Sequence, residues 1–300
     1  MERKKLSEKT LLSRISLGFW RLPDWQMSEK ELHRYIKIAI ELGVTTFDHA
    51  DIYGNYTCEA AFGQILKQQP SLRQSMELVT KCGIKLKTDK FPIRKIKIYD
   101  TSRRHIIESV NSSLKKLSTD YIDLLLIHRP DPFISLYEVS EAFYQLEKAG
   151  KVLNFGVSNF NPLQFDALHY AFDKKLVANQ LEISPYQLAH FNNGNLEYCM
   201  KAHILPMAWS PLAGGKLLHP VDEKSRRIHE KLAEIAAEYQ NSDIEQILLA
   251  WLLAHPSGIV PVIGTGKIQH LKSAVASTKI QLSREDWFRI YIAATNMELP

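Results

Sequence analysis

The sequence has few cysteines, no secretion signal and no Gly-x-Gly-x-x-Gly turn, and each absence removes a class of protein. Only three cysteines occur, Cys58, Cys82 and Cys199. Their number is odd and their spacing fits no metal site, so the expectation is reduced thiols in a cytoplasmic protein. Residues Met1 to Thr10 are charged with no apolar core behind them, which argues against a secretory signal. No uninterrupted apolar run approaches the ~20 residues that span a bilayer, so no membrane partner is expected. Basic residues are scattered over the chain, and aromatics do not interleave with their densest run, Lys85 to Lys97. Nucleic acid is therefore excluded as a partner. Linkers, repeats and low-complexity stretches are also missing, and residues 1–300 read as one domain.

What is present is an alternation of short apolar runs with longer amphipathic ones, the layout of a parallel sheet with crossover helices. Eight strands are predicted, at Ser16–Trp20, Thr45–His49, Leu78–Lys81, Asp123–His128, Asn154–Val157, Ala178–Leu181, Pro206–Ser210 and Val260–Ile263. Ser28 with Glu31 predicts a capping box, and Gly43 the C′ residue of that helix. Asn161-Pro162, Ser242 with Glu245, and Ser283 with Asp286 open further helices. Others are expected over Arg103–Leu117, Leu136–Ala149 and Arg226–Tyr239. An open dinucleotide-binding sheet would show a Gly-x-Gly-x-x-Gly turn after an early strand, and there is none. The expected fold is an α/β, single (β/α)8 TIM barrel with extra helices.

Barrel enzymes work at the C-terminal ends of their strands, and the polar residues there form a coherent set. The second strand runs into Asp48-His49-Ala50-Asp51-Ile52-Tyr53-Gly54, the third ends at Lys81, the fourth at His128-Arg129-Pro130, and the fifth at Ser158-Asn159. Singly, each has a plain structural role open to it: Lys81 as a rim cation, His128 as a core histidine, Tyr53 as packing. Together they supply the groups that carbonyl reduction needs. A tyrosine hydroxyl gives up its proton reluctantly, since its ordinary pKa is about 10. A lysine beside it is expected to lower that value, a carboxylate to hold the lysine, and a histidine to orient the carbonyl.

In these motifs the chain resembles the aldo-keto reductase superfamily, from Leu17-Gly18 through Ile263-Gly264-Thr265-Gly266. The stretch from Leu126 to Pro132 is similar to a bacterial YdhF-like oxidoreductase subgroup. The resemblance implies Tyr53 as general acid, Lys81 as its modulator, Asp48 as the lysine's partner and His128 as substrate orienter. It implies NADP(H), with NADPH preferred over NADH, and a small-molecule aldehyde or ketone as substrate. Ser158, Asn159 and Gln180 would bind the carboxamide and Trp209 would stack on the nicotinamide. Ser210, Leu212, Gly214 and Lys216 would embrace the pyrophosphate. Gly264, Thr265, Gly266 and Lys267 would take the 2′-phosphate end, with His270 where relatives often have arginine. Many relatives carry a long C-terminal loop over the pocket, whereas this sequence ends soon after Trp287 and Phe288. Specificity is therefore expected from Trp20, Trp25 and the basic excursion from Lys85 to Tyr99, which is open to a role with an anionic substrate but is expected to be a solvated charged loop.

Two other functions stay open at this point. One is an NADP(H)-binding redox sensor or regulatory subunit with little turnover. The other is a barrel metallohydrolase using Asp48, His49, Asp51 and His128, although Lys81 would sit awkwardly beside a cation and no metal is expected. A monomer or weak oligomer is the expected state.

Overall fold

The computed structural model describes residues 1–239 and 242–299. Eight strands close into a barrel in which every neighbouring pair is parallel. They are β1 (Ser16–Gly18), β2 (Thr46–Asp48), β3 (Glu77–Cys82), β4 (Leu124–Ile127), β5 (Phe155–Ser158), β6 (Ala178–Glu182), β7 (Leu205–Trp209) and β8 (Val260–Ile263). Their order around the barrel follows the chain, with β8 beside β1. All eight coincide with the expected strands to within two residues at each end. The differences fall mostly where polar site residues leave the ladder: His49, His128 and Ser158 sit at or just past the last paired position, and Lys81 one residue before it.

These strands are apolar on both faces because both faces are covered. Inside, Val79, Leu124, Leu126, Ala178, Met207, Val260 and Val262 pack together. Leu6 and Leu12 join that interior cluster from an antiparallel hairpin, Arg3–Lys5 with Leu11–Ser13, which the apolar pattern had not revealed. Outside, three further clusters seal the strands to the helices.

The caps explain where helices begin. Ser28 accepts from the Glu31 amide and Glu31 reaches back to Ser28, opening Glu29–Glu41, and Gly43 follows with φ +83°. Asn161 with Gln164 opens Pro162–Phe172, and Ser283 caps Arg284–Thr295. Two expectations need correction. The helix placed at Arg226–Tyr239 spans Glu223–Glu238, because Asp222 and Ser225 form the capping box. The helix expected to open on Ser242 with Glu245 opens on Asp243 with Gln246, leaving Glu245 available for another contact. The excursion from Lys85 to Tyr99 is largely exposed, as expected of a solvated segment, but it is anchored. Ile84–Lys85 pairs with Ile98–Tyr99, and the intervening chain is tied down by Tyr56, whose hydroxyl accepts from the Leu86 amide at 2.9 Å and from Arg94 at 3.0 Å.

One close approach constrains the packing of helix Cys58–Gln68 on helix Arg103–Leu117. A Cβ added at Gly63 would lie 1.8 Å from the Lys116 carbonyl oxygen, so the helices would have to separate. Gly63→Ala is expected to lose about 1–3 kcal/mol of unfolding free energy, measured by equilibrium denaturation. A stability equal to that of the parent would refute the close packing.

Candidate active site

The barrel's parallel pairing places the ends of β2, β3 and β4 side by side, and with them Asp48, Lys81 and His128. After Asp48 the chain still follows the barrel, since the His49 amide donates to the Val79 carbonyl and the Asp51 amide to the Lys81 carbonyl. It then turns sharply at Tyr53-Gly54. Gly54 has φ +56°, and a Cβ there would meet Cys58 Sγ at 2.6 Å and Pro23 Cγ at 2.9 Å. Only glycine suits that position, and the turn aims Tyr53 back over the barrel mouth.

Lys81 is only 1% exposed. Its ammonium donates to both Asp48 oxygens at 2.9 and 2.7 Å, to the His49 carbonyl at 2.7 Å and to the Tyr53 hydroxyl at 3.1 Å. A buried ammonium is tolerated only when paired and hydrogen-bonded, and all its donors are used here. Burial works against the charge, but Asp48 and Tyr53 more than offset it, so the Lys81 pKa lies above its ordinary value. Asp48 Oδ1 also accepts from Gln180 Nε2 at 2.8 Å.

Lys81 pulls the tyrosine pKa down, as expected, but the pull is outweighed by burial. Burial of the Tyr53 hydroxyl pushes its pKa up, Lys81 pulls it down, Asp48 pushes up again, and the net direction is upward. The physical reason is that burial disfavours the phenolate more strongly than Lys81 favours it, with Asp48 offsetting part of the lysine's pull. Tyr53 is therefore a protonated phenol with a cation 3.1 Å away. His128 stands edge-on to it, with ring centroids 5.9 Å apart at 77°. Burial, helped by Lys81, Arg129 and Lys97, drives its pKa well below the ordinary imidazole value. Its Nδ1 is buried with no hydrogen-bond partner, so Nε2 is the nitrogen left for a ligand.

The arrangement that a metallohydrolase would need is not formed. Asp48 is occupied by Lys81 and Gln180. His49 stacks on Phe19 at 4.7 Å and meets Phe62 at 4.6 Å, and burial holds its pKa down at about 3. Asp51 accepts instead from Ser109 at 2.7 Å.

A cleft of about 990 Å³ opens above these residues. Most of the expected contacts line it: Trp20, Ser158, Asn159, Gln180, Trp209, Ser210, Leu212, Gly214, Gly264, Thr265 and His270, beside Asp48, Tyr53 and His128. A hydrogen-bonded row crosses the floor, from Trp209 Nε1 to Asn159 Oδ1 (3.0 Å), Asn159 Nδ2 to Ser158 Oγ (2.8 Å) and Ser158 Oγ to the Gln180 carbonyl (2.8 Å).

Five expected residues are not part of the cleft wall, Lys81 among them, buried behind Tyr53. Trp25 packs 5.3 Å from Phe19 and 5.7 Å from Tyr35. Gly266 lies over Trp25, where a Cβ would come within 2.6 Å of the indole. Lys267 is exposed to solvent. Lys216 stands over the Tyr186 ring at 5.0 Å. Trp25 stays out because it is needed in the core between β1 and helix Glu29–Glu41.

The cleft also contains residues that sequence reasoning had not assigned. Glu245 accepts from His270 Nδ1 at 2.9 Å, and its exclusion from the capping box was the missing signal. Arg21, Lys97 and Arg129 line the cleft as well. Arg129 follows His128 directly, and Lys97 lies within the noted basic run, so both signals were present without a geometry to interpret them.

The model of the Aldo/keto reductase family matches residues 14–294. The chain belongs to this family. The oxidoreductase YdhF of Escherichia coli is 46% identical over 96% of this chain and 95% of its own. The uncharacterized oxidoreductase YcsN of Bacillus subtilis is 45% identical over the full length of both. A 6-dehydroglucose reductase of Agrobacterium fabrum is 40% identical, again over both full lengths. Among solved structures, an aldo/keto reductase from Klebsiella pneumoniae in complex with NADP and acetate superimposes with a TM-score of 0.78. It is 25% identical over 94% of this chain and 92% of that one. Family membership makes the chain an oxidoreductase of the bacterial YdhF-like kind. No described helix is long and apolar enough to cross a membrane.

The buried environment of His128 has a direct consequence. Because its folded-state pKa is depressed, the ring is neutral at neutral pH and takes up a proton only well below pH 6.5. Imidazole ¹⁵N spectra are expected to show a neutral His128 from pH 8 down to about 6; a titration centred near 6.5 would refute this reading.

Proposed function

We propose that this protein reduces the carbonyl group of a small aldehyde or ketone, with NADPH as the preferred cofactor. The observation that carries the proposal is the Asp48–Lys81–Tyr53 chain of contacts opening beside His128 into the cleft.

The residues present fit a nicotinamide dinucleotide. Ser158, Asn159 and Gln180 bring hydroxyl and amide groups to the cleft floor, suited to a carboxamide, and Trp209 offers a flat apolar face. Gly214 and Gly215 have φ +69° and +100° with little or nothing over their Cα atoms, so backbone can approach a pyrophosphate there. Gly264 and Thr265 line the cleft just before helix Ile268–Ser277, whose N-terminus favours anionic groups. His270 lies beyond them, and its partner Glu245 keeps a carboxylate at the same end. The NADP bound by the Klebsiella relative supports the cofactor class. Preference for NADPH rests on His270, so NADPH is expected to bind more tightly than NADH. His270→Ala should narrow that difference in a fluorescence titration, and an unchanged ratio would remove His270 from recognition.

When bound, the cofactor supplies hydride. The protein's own task is to bind the carbonyl oxygen and give it a proton. His128 Nε2 donates a hydrogen bond to that oxygen and fixes its position. The Tyr53 hydroxyl, kept protonated by burial, transfers its proton to the oxygen as negative charge develops there. The Lys81 ammonium, in contact with the phenol oxygen, stabilises the phenolate left behind, and Asp48 keeps Lys81 in place without hydration. A phenol that is hard to ionise at rest becomes a competent acid when the oxygen it faces acquires charge. The reductase named for 6-dehydroglucose supports an aldehyde among the substrates. The three buried free thiols, Cys58, Cys82 and Cys199, suit the reducing cytoplasm.

Tyr53→Phe removes the proton donor without a cofactor contact. Its kcat is expected to fall about 10²–10⁴-fold with NADPH affinity retained. Turnover close to that of the parent would exclude Tyr53 as the acid. Lys81→Met is expected to depress kcat comparably and to move the alkaline limb of the pH–rate profile upward, since the phenol would lose its cation. An unmoved profile would refute the role given to Lys81.

A further inference from the structure

The outer cleft on the substrate side carries two cations, Lys97 and Arg129, that no carboxylate engages. Both line the cleft that holds Tyr53 and His128. Neither forms an ion pair among the described residues, unlike Lys81 with Asp48 or Lys85 with Asp100. The acidic side chains of the same cleft are elsewhere engaged or placed: Asp48 holds Lys81, Glu245 holds His270, and Asp24 belongs to the loop after β1. Glu182, at the end of β6, lies close enough to Arg129 to feel its charge but makes no ion pair with it.

Their place in the barrel separates them from the expected cofactor phosphates. Lys97 lies on the hairpin between β3 and helix Arg103–Leu117, and Arg129 follows β4. The segments 210–216 and 264–267 follow β7 and β8. In a closed barrel of eight strands, β3 faces β7 and β4 faces β8, so the two cations are rooted on the opposite arc of the mouth, with the Arg129 guanidinium reaching across toward Trp209. Lys97 is held there by the anchored hairpin rather than by a free loop, since Tyr56 ties down Leu86 and Arg94 and the Lys90 ammonium donates to the Asn55 carbonyl at 2.6 Å. The Arg129 guanidinium stands over the Trp209 ring, 5.2 Å from its centroid, which orients it across the mouth. Both charges are felt at His128, the group expected to hold the carbonyl oxygen.

We propose that Lys97 and Arg129 form an anion subsite, and that the preferred substrates are aldehydes or ketones bearing a carboxylate or phosphate a few bonds from the carbonyl. This rests on the carbonyl-reductase reading above. Charge-assisted hydrogen bonds to such a group favour the charged substrate by about ten- to hundredfold over its neutral counterpart.

The test compares kcat/KM for two matched pairs, 4-oxobutanoate against butanal and glyceraldehyde 3-phosphate against glyceraldehyde. The anionic member is expected to win by about tenfold or more, with the phosphate pair alone, or both pairs, showing which anion the subsite takes. The advantage should shrink as salt is raised, which needs no variant. In Lys97→Gln with Arg129→Gln the ratio should fall toward one, and Lys97→Glu should turn the preference toward 4-aminobutanal. Turnover with no charge preference, or a preference indifferent to salt and to both variants, overturns the subsite while leaving the reductase intact. No turnover of any carbonyl, phenanthrenequinone included, overturns the reductase reading and the subsite with it.

Discussion

The buried ion pair between Lys81 and Asp48 is the constraint around which the mouth of this barrel is organised. An ammonium that is 1% exposed has to find every one of its hydrogen-bond partners within the protein. It finds them at the end of the neighbouring strand and in the turn that follows, in Asp48, the His49 carbonyl and the Tyr53 hydroxyl. The same interaction satisfies Lys81 and sets Tyr53, so the lysine's need for partners and the tyrosine's position are one problem with one solution. Gln180 extends the pair to the far side of the mouth through Asp48.

That pairing also explains why Tyr53 is not a phenolate at rest. The lysine at 3.1 Å favours ionisation, but burial disfavours the anion more strongly and Asp48 offsets part of the lysine's pull. The outcome is a phenol that keeps its proton at rest, as the proposed role of general acid requires. His128 is held neutral by the same logic, burial among cations. Both groups keep their protons where a carbonyl oxygen would need them.

Much of this was legible in the residues. The eight apolar runs gave the barrel because a parallel strand covered on both faces leaves a continuous apolar signature. Asp48, Tyr53, Lys81 and His128 were legible because they interrupt that signature at strand ends. Boundaries set by competing caps were less so: Ser242 and Asp243 both suit an N-cap, and only the path of the chain selected Asp243. The N-terminal hairpin went unseen because its strands are three residues each, too short for a periodicity to register.

By itself, then, the sequence determined the order of strands and helices, the barrel, and the four polar residues at its strand ends, since all of these follow from local patterning. Tertiary structure alone decided which polar residues meet. It turned Trp25 into the core and put Lys216 over Tyr186. It paired His270 with Glu245 and brought Lys97 and Arg129 to the lining of one cleft. It also set the net direction of the Tyr53 shift, because desolvation and the balance of neighbouring charges depend on distances across strands that lie far apart in sequence.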